Sequence, residues 1–134
     1  MLDESTFQFG ILELTVRDAD LARVIQTYGV PPLWVREPGF PSLVYIILEQ
    51  QVSLASARAA FQRLRAAASP LTPTRFLKLS DTQLKQIGFS RQKTLYTRLL
   101  AESLVKRHLD LNDLHDLSDD AARKFLIALK GIGT

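Results

Sequence analysis

A serine and a glutamine three positions apart, Ser80 and Gln83, stand just ahead of an apolar run that stops at Gly88, and this pairing limits the fold more than any other feature of the chain. The serine hydroxyl and the glutamine amide satisfy the free N–H groups at a helix start, and glycine ends the helix because it tolerates positive φ. The neighbouring segments carry the same punctuation. From Ala57 the apolar positions Ala57, Ala60, Phe61, Leu64, Ala67 and Ala68 recur at helical spacing, while Arg58, Gln62 and Arg65 face away. Thr72-Pro73 restarts the chain into a short turn through Phe76 and Leu77. In "SRQKTLYTRLLAESLVKRH", Tyr96, Leu100 and Leu104 fall in line, and Ser118 caps a last helix through Leu129. Many short helices on short turns predict an all-α domain, with Ser53 to Ala68 and Arg91 to Arg107 the two longest.

The first fifty residues are less regular. "FQFGILELTV" alternates loosely and is rich in β-formers, so an extended segment is expected over Phe7 to Val16. Asp18 or Asp20 caps a helix through "LARVIQTY", ended by Gly29 and Pro31-Pro32. "PPLWVREPGFP" holds four prolines and one glycine and reads as a boundary. The apolar run in "SLVYIILEQQVS" suits a buried strand or a buried helix, and periodicity does not choose between them. An N-terminal segment, residues 1–40, and a central helical domain, residues 41–134, follow from this reading.

At 134 residues and 46% hydrophobic, the chain can bury a single domain's core. It has no run of ~18 apolar residues for a membrane span, and "MLDEST" lacks the positive start of a secretory signal, so a soluble, cytoplasmic protein is expected. Zero cysteines exclude thiolate metal sites and a cysteine nucleophile within these residues, and two isolated histidines are too few for a histidine-based metal site. The net charge of +3 is unevenly spread. Arg58, Arg63, Arg65, Arg75, Lys78, Lys85, Arg91 and Lys93 are opposed only by Asp81, whereas Asp110, Asp113, Asp116, Asp119 and Asp120 share a stretch without Lys or Arg. On charge alone two readings stand: a face for a polyanion, or helix faces that are simply solvated.

Four motifs carry chemical potential. In "LKGIGT", a helix running into two glycines exposes consecutive backbone N–H groups able to hold a phosphate oxygen, with Lys130 adding charge and Leu129 and Ile132 anchoring the hairpin inward; an ordinary glycine C-cap is the alternative. In "LEQQVS" two adjacent glutamines close an apolar run, as a binding element or a solvated helix end. "IGFSRQK" sets Phe89 on an inter-helix turn ahead of Arg91 and Lys93, either as an aromatic wedge between bases flanked by phosphate-holding cations or as a core side chain. Trp34 in "LWVREPGF" suits base stacking, though burial is the commoner fate.

Taken together, "ILEQQVSLASARAAFQRL", "FLKLSDTQLKQIGFSRQKTLYTRLLAESLV" and "LKGIGT" resemble the helix-hairpin-helix DNA glycosylase superfamily, and within it the DNA-3-methyladenine glycosylase II type, over about Phe40 to Thr134. The resemblance implies that Ser42 to Gln51 is helical. It implies that Gln51 plugs the gap left by an extruded nucleotide with Gln50 beside it, that Phe89 wedges the opposite strand with Ser90 next to it, and that Lys93 is a basic contact to phosphate. The hairpin Lys130, Gly131, Ile132, Gly133 and Thr134 is implied to bind phosphates beside the lesion through its amides, with a metal ion on the carbonyls of Leu129 and Ile132. The implied partner is double-stranded DNA containing damaged bases, nucleoid-associated if the source is bacterial, and no cofactor is implied. The implied activity is base-excision repair by hydrolysis of the N-glycosidic bond of alkylated bases. The family's tryptophan-threonine-alanine-like helix and catalytic aspartate fall beyond Thr134, so the expectation is a truncated chain that stops in the hairpin motif, lacks the C-terminal helices, exposes apolar surface on its N-terminal helices and is inactive alone. The five aspartates from Asp110 to Asp120 precede the hairpin and read as a solvated turn and a helix start. The alternative is a non-catalytic helix-hairpin-helix DNA-binding module.

Overall fold

The computed structural model describes residues 3–132, without the side chain of His115, and among these residues every regular element is helical. The chain divides into two compact units, one running to Arg36 and the other from Glu37.

The first unit is a helical pair, α1 (Glu4–Arg17) and α2 (Ala19–Tyr28). The extended segment expected over Phe7 to Val16 is therefore corrected: it lies inside α1. Asp3 and Thr6 form a reciprocal capping box, with the Thr6 amide donating to the Asp3 carboxylate at 2.8 Å and the Asp3 amide donating to the Thr6 hydroxyl at 2.9 Å. Once the first turn is fixed, each added residue gains a bond at little entropic cost, and Gln8–Glu4 and Arg17–Glu13 pairs one turn apart support the exposed face. These local terms outweigh the modest β preference of Phe, Ile, Thr and Val. Asp18 ends α1 and caps α2, accepting from the Asp20 and Leu21 amides at 2.8 and 3.1 Å. Neither helix buries a side chain fully, and Ile11, Leu14, Leu21 and Val24 line an apolar groove between them. Trp34, for which burial was the commoner expectation, is 80% exposed.

The second unit holds the core. α3 (Phe40–Glu49) is the ambiguous apolar run, and it is a helix because Phe40, Val44, Ile47 and Leu48 fall on one stripe and are all buried. α4 (Leu54–Ala67), capped by Ser53, lays Ala57, Ala60 and Leu64 against it, the two alanines permitting close approach. α5 (Pro73–Leu77) delivers Phe76, fully buried, to the centre. α6 (Asp81–Ile87) carries the expected Ser80–Gln83 box and ends at Gly88, φ 116°. α7 (Arg91–Val105), capped by Ser90, buries Thr97, Leu100 and Ala101. At 15 residues it is the longest helix described; α4 and α1 share second place at 14. Arg98 ties α7 to the α5–α6 turn, donating to the Leu79 carbonyl at 2.8 Å and to Asp81 at 2.7 Å. A 3₁₀ turn (Asn112–Asp116) leads to α8 (Asp119–Ile127), capped by Ser118. The five aspartates are exposed, Asp110 just ahead of that turn, Asp113 and Asp116 in it, and Asp119 and Asp120 at the start of α8, as the sequence suggested.

Candidate nucleic-acid interface

Three elements converge at the C-terminal end of α3. The helix stops there because Gln50 adopts ψ 125° and Gln51 turns left-handed, φ 55°. A positive φ in a side-chain-bearing residue costs roughly 1–2 kcal/mol and persists only when neighbouring structure holds it. The two glutamines then diverge. Gln51 is exposed, while the half-buried Gln50 donates from Nε2 to the Gly131 carbonyl at 2.8 Å. That bond joins the end of α3 to the hairpin after α8.

The hairpin rests on α7. Gly131 has φ 97°, and a Cβ built there would stand 2.3 Å from Tyr96 Cδ2, so only glycine lets the backbone lie against that ring. The Ile132 amide donates to the Leu129 carbonyl at 3.0 Å, closing the turn. Leu129 and Ile132 are half-buried, as expected of anchors, and Lys130 is exposed. Gly133 and Thr134 lie outside the described residues.

Lys93 and Ser90 open α7. The Ser90 hydroxyl accepts the Lys93 amide at 3.2 Å and is thereby committed to capping. The Lys93 ammonium reaches across to donate to the Leu48 carbonyl at 2.7 Å, and partial burial pushes its pKa below the usual lysine value. Gln50, Gln51, Ser90, Gln92, Lys93 and Tyr96 line a cleft of about 250 Å³ that holds no carboxylate. Beyond Ser90, Gln92 and Tyr96 it continues into a wider cleft of about 1020 Å³ edged by Lys85, Arg91 and Lys130, where the one carboxylate, Asp81, is paired with Arg98.

Phe89 requires a correction. Expected as an exposed wedge, it is 4% exposed, its ring 5.7 Å from that of Phe76, with only an edge bordering the wide cleft. The Phe89 amide donates to the Leu84 carbonyl and the Gly88 amide to the Lys85 carbonyl, the paired bonds by which a left-handed glycine folds the next residue back over its helix. That turn brings Phe89 into the same buried cluster as Leu84. The glycine followed by an aromatic was the signal for it. Tyr96, the floor of the hairpin, had no such signal beyond its place in a helical stripe.

The sequence from residue 44 to residue 129 matches the family model described as HhH-GPD superfamily base excision DNA repair protein. No curated protein matches. Among solved structures, a DNA-3-methyladenine glycosidase from Bacillus halodurans superposes with a TM-score of 0.76 at 31% sequence identity, covering 90% of this chain and 56% of the other. The chain thus spans little more than half the length of that structure. With the helical order in place and a family match over more than half its residues, the chain belongs to the HhH-GPD superfamily of base excision DNA repair proteins.

Proposed function

We propose that this interface grips double-stranded DNA beside a damaged base, as part of a glycosylase that extrudes alkylated bases and hydrolyses their N-glycosidic bond. The observation that carries the reading is the Gln50–Gly131 hydrogen bond, which sets the exposed Gln51 next to the glycine hairpin. The turn from Lys130 to Ile132 offers backbone amides to phosphates, an interaction blind to sequence, as repair requires. Gln51 enters the stack where the extruded nucleotide was, its amide replacing lost base-pair hydrogen bonds. Lys85, Arg91 and Lys130 supply charge along the wider cleft. Phe89 takes no part as a wedge, and Ser90 contributes through its cap. The carbonyls of Leu129 and Ile132 are hard donors of the type a cation takes; Leu129 keeps one lone pair beyond the turn bond, so such an ion fits only with phosphate oxygens completing its shell.

Release of the base builds positive charge on the sugar, and a fixed carboxylate is the fitting counter-charge. The cleft at the two glutamines contains none, and no described residue is assigned that role. The second reading is a helix-hairpin-helix module that binds DNA backbone without cleaving, a role the docked turn at Gly131 would serve equally. The test is equilibrium binding of the chain to a labelled duplex carrying one abasic-site analogue and to its intact counterpart, with base release from methylated duplex assayed alongside. Salt-dependent binding with preference for the abasic duplex, abolished in Gln51→Ala, is expected. Failure to bind either duplex at low salt refutes both readings; binding without base release supports the module reading for the chain itself.

A further inference from the structure

Lys93 is the third residue of α7, counted from the Ser90 cap, and a cation there sits at the unfavourable end of the helix dipole. Its ammonium is not left to solvent. It spans to Leu48, in the last turn of α3, where carbonyls lack intrahelical partners and a cation is welcome. Leu48 needs such a partner for a specific reason. The chain leaves the helix at Gln50 and turns left-handed at Gln51, so the amide that would have continued the ladder to Leu48 is carried away. Lys93 replaces it.

We infer that Lys93 is a positioning residue: by bonding the Leu48 carbonyl it holds the Gln50–Gln51 turn in its left-handed form, with the Gln51 side chain directed outward and Gln50 docked on Gly131. This assignment rests on the proposed DNA-binding role of Gln51 and replaces the phosphate contact expected of Lys93. Its partial desolvation agrees, because an ammonium kept for phosphates gains nothing from being drawn under a helix end. The bond links residues 45 positions apart, and the Gln50 bond links residues 81 apart, so Lys93 connects α7, α3 and the hairpin in one chain of contacts.

The test compares Lys93→Met, which keeps the apolar stem and removes charge and donor, with Lys93→Arg, which keeps both. Lys93→Met is expected to weaken binding to the abasic-analogue duplex about tenfold. On intact duplex it is expected to act less than about twofold, leaving the salt slope unchanged, and it should have no added effect in a Gln51→Ala background. Lys93→Arg is expected to recover most of the loss. Equal loss on both duplexes with the slope reduced by about 0.9 means a phosphate contact and overturns the inference. A readout without DNA decides independently: the backbone ¹³C shifts of Gln51 should leave their left-handed values in Lys93→Met, and unchanged shifts overturn the inference. If the parent chain binds neither duplex, the functional reading fails and these shifts still decide the role of Lys93. Should Lys93→Met lose its helical circular dichroism, Lys93→Gln and Lys93→Arg carry the same comparison.

Discussion

Gly131→Ala is the sharpest test of how the hairpin is held. At φ 97° any other residue is strained, by roughly 1–2 kcal/mol for an L side chain. The added methyl would also lie 2.3 Å from Tyr96 Cδ2, 2.4 Å from Cγ and 2.7 Å from Cβ. Ordinary contact begins near 3.4 Å, so the hairpin or the ring must retreat by roughly 1 Å. The ring is poorly able to yield: its Cβ is fixed to α7, and its hydroxyl accepts a bond from Gln92 Nε2 at 2.6 Å. The hairpin therefore moves, breaking the 2.8 Å bond from Gln50, itself worth about 0.5–1.5 kcal/mol. The penalty falls on docking, about 2–3 kcal/mol, or a factor of roughly 30 to 150 in the docking equilibrium. Because Leu129 and Ile132 are only half-buried and lie at the edge of the core, global stability should change little. The assay is amide hydrogen exchange at Ile132, whose N–H donates to Leu129 in the docked turn, together with the urea midpoint. Protection at Ile132 should fall by that factor while the midpoint stays within about 0.5 kcal/mol of the parent. Adding Tyr96→Ala, which removes two of the three close contacts, should restore part of the protection. Unchanged exchange at Ile132 and unchanged Gln50 side-chain resonances in Gly131→Ala would refute the reasoning.

Phe89→Ala should destabilise the chain by about 3–5 kcal/mol in urea unfolding, because the ring packs on Phe76 in the core; a loss within about 0.5 kcal/mol would return Phe89 to the surface. Asp3 has its pKa held down to about 2 by the Thr6 amide first, then by the Ser5 and Thr6 hydroxyls. Its folded value is depressed, so its contribution to α1 is present in full above the ordinary value of 3.8 and is lost as pH falls through about 2. Carboxyl ¹³C titration should place the midpoint near the lower value, and Asp3→Asn should remove the pH dependence of the first turn while keeping the cap; a midpoint at 3.8 contradicts the capping geometry.

The first unit is a pair of helices whose facing apolar residues Ile11, Leu14, Leu21 and Val24 line the groove between them. Its helicity was hidden in the sequence by β-forming residues, and a carboxylate and a threonine three positions apart decided it. Elsewhere the local signals held. Ser80 with Gln83, Ser118 and the stripe of Ala57, Ala60 and Leu64 each act within a turn or two of helix, where hydrogen bonds close over three or four residues. The apolar run from Leu43 to Leu48 offered no such closure, because a stretch apolar on every position suits any buried element; packing against α4 and α7 selected the helix, which ends at Glu49 and not at Gln51 as the resemblance implied.

The candidate site divides the same way. Residue types and order were legible: paired glutamines, a lysine early in a helix, glycines at a turn. Their roles were not. Whether Phe89 faced solvent or core was decided by the left-handed Gly88 and the ring of Phe76. Whether Lys93 met phosphate or carbonyl was decided by the helix end of α3, and which glutamine stayed free was decided by where the hairpin came to rest. Helix starts and stops are set by bonds between near neighbours and so are written in the sequence; the direction of a side chain at a junction is set by bonds between residues 45 and 81 positions apart, whose partners exist only once the chain has folded.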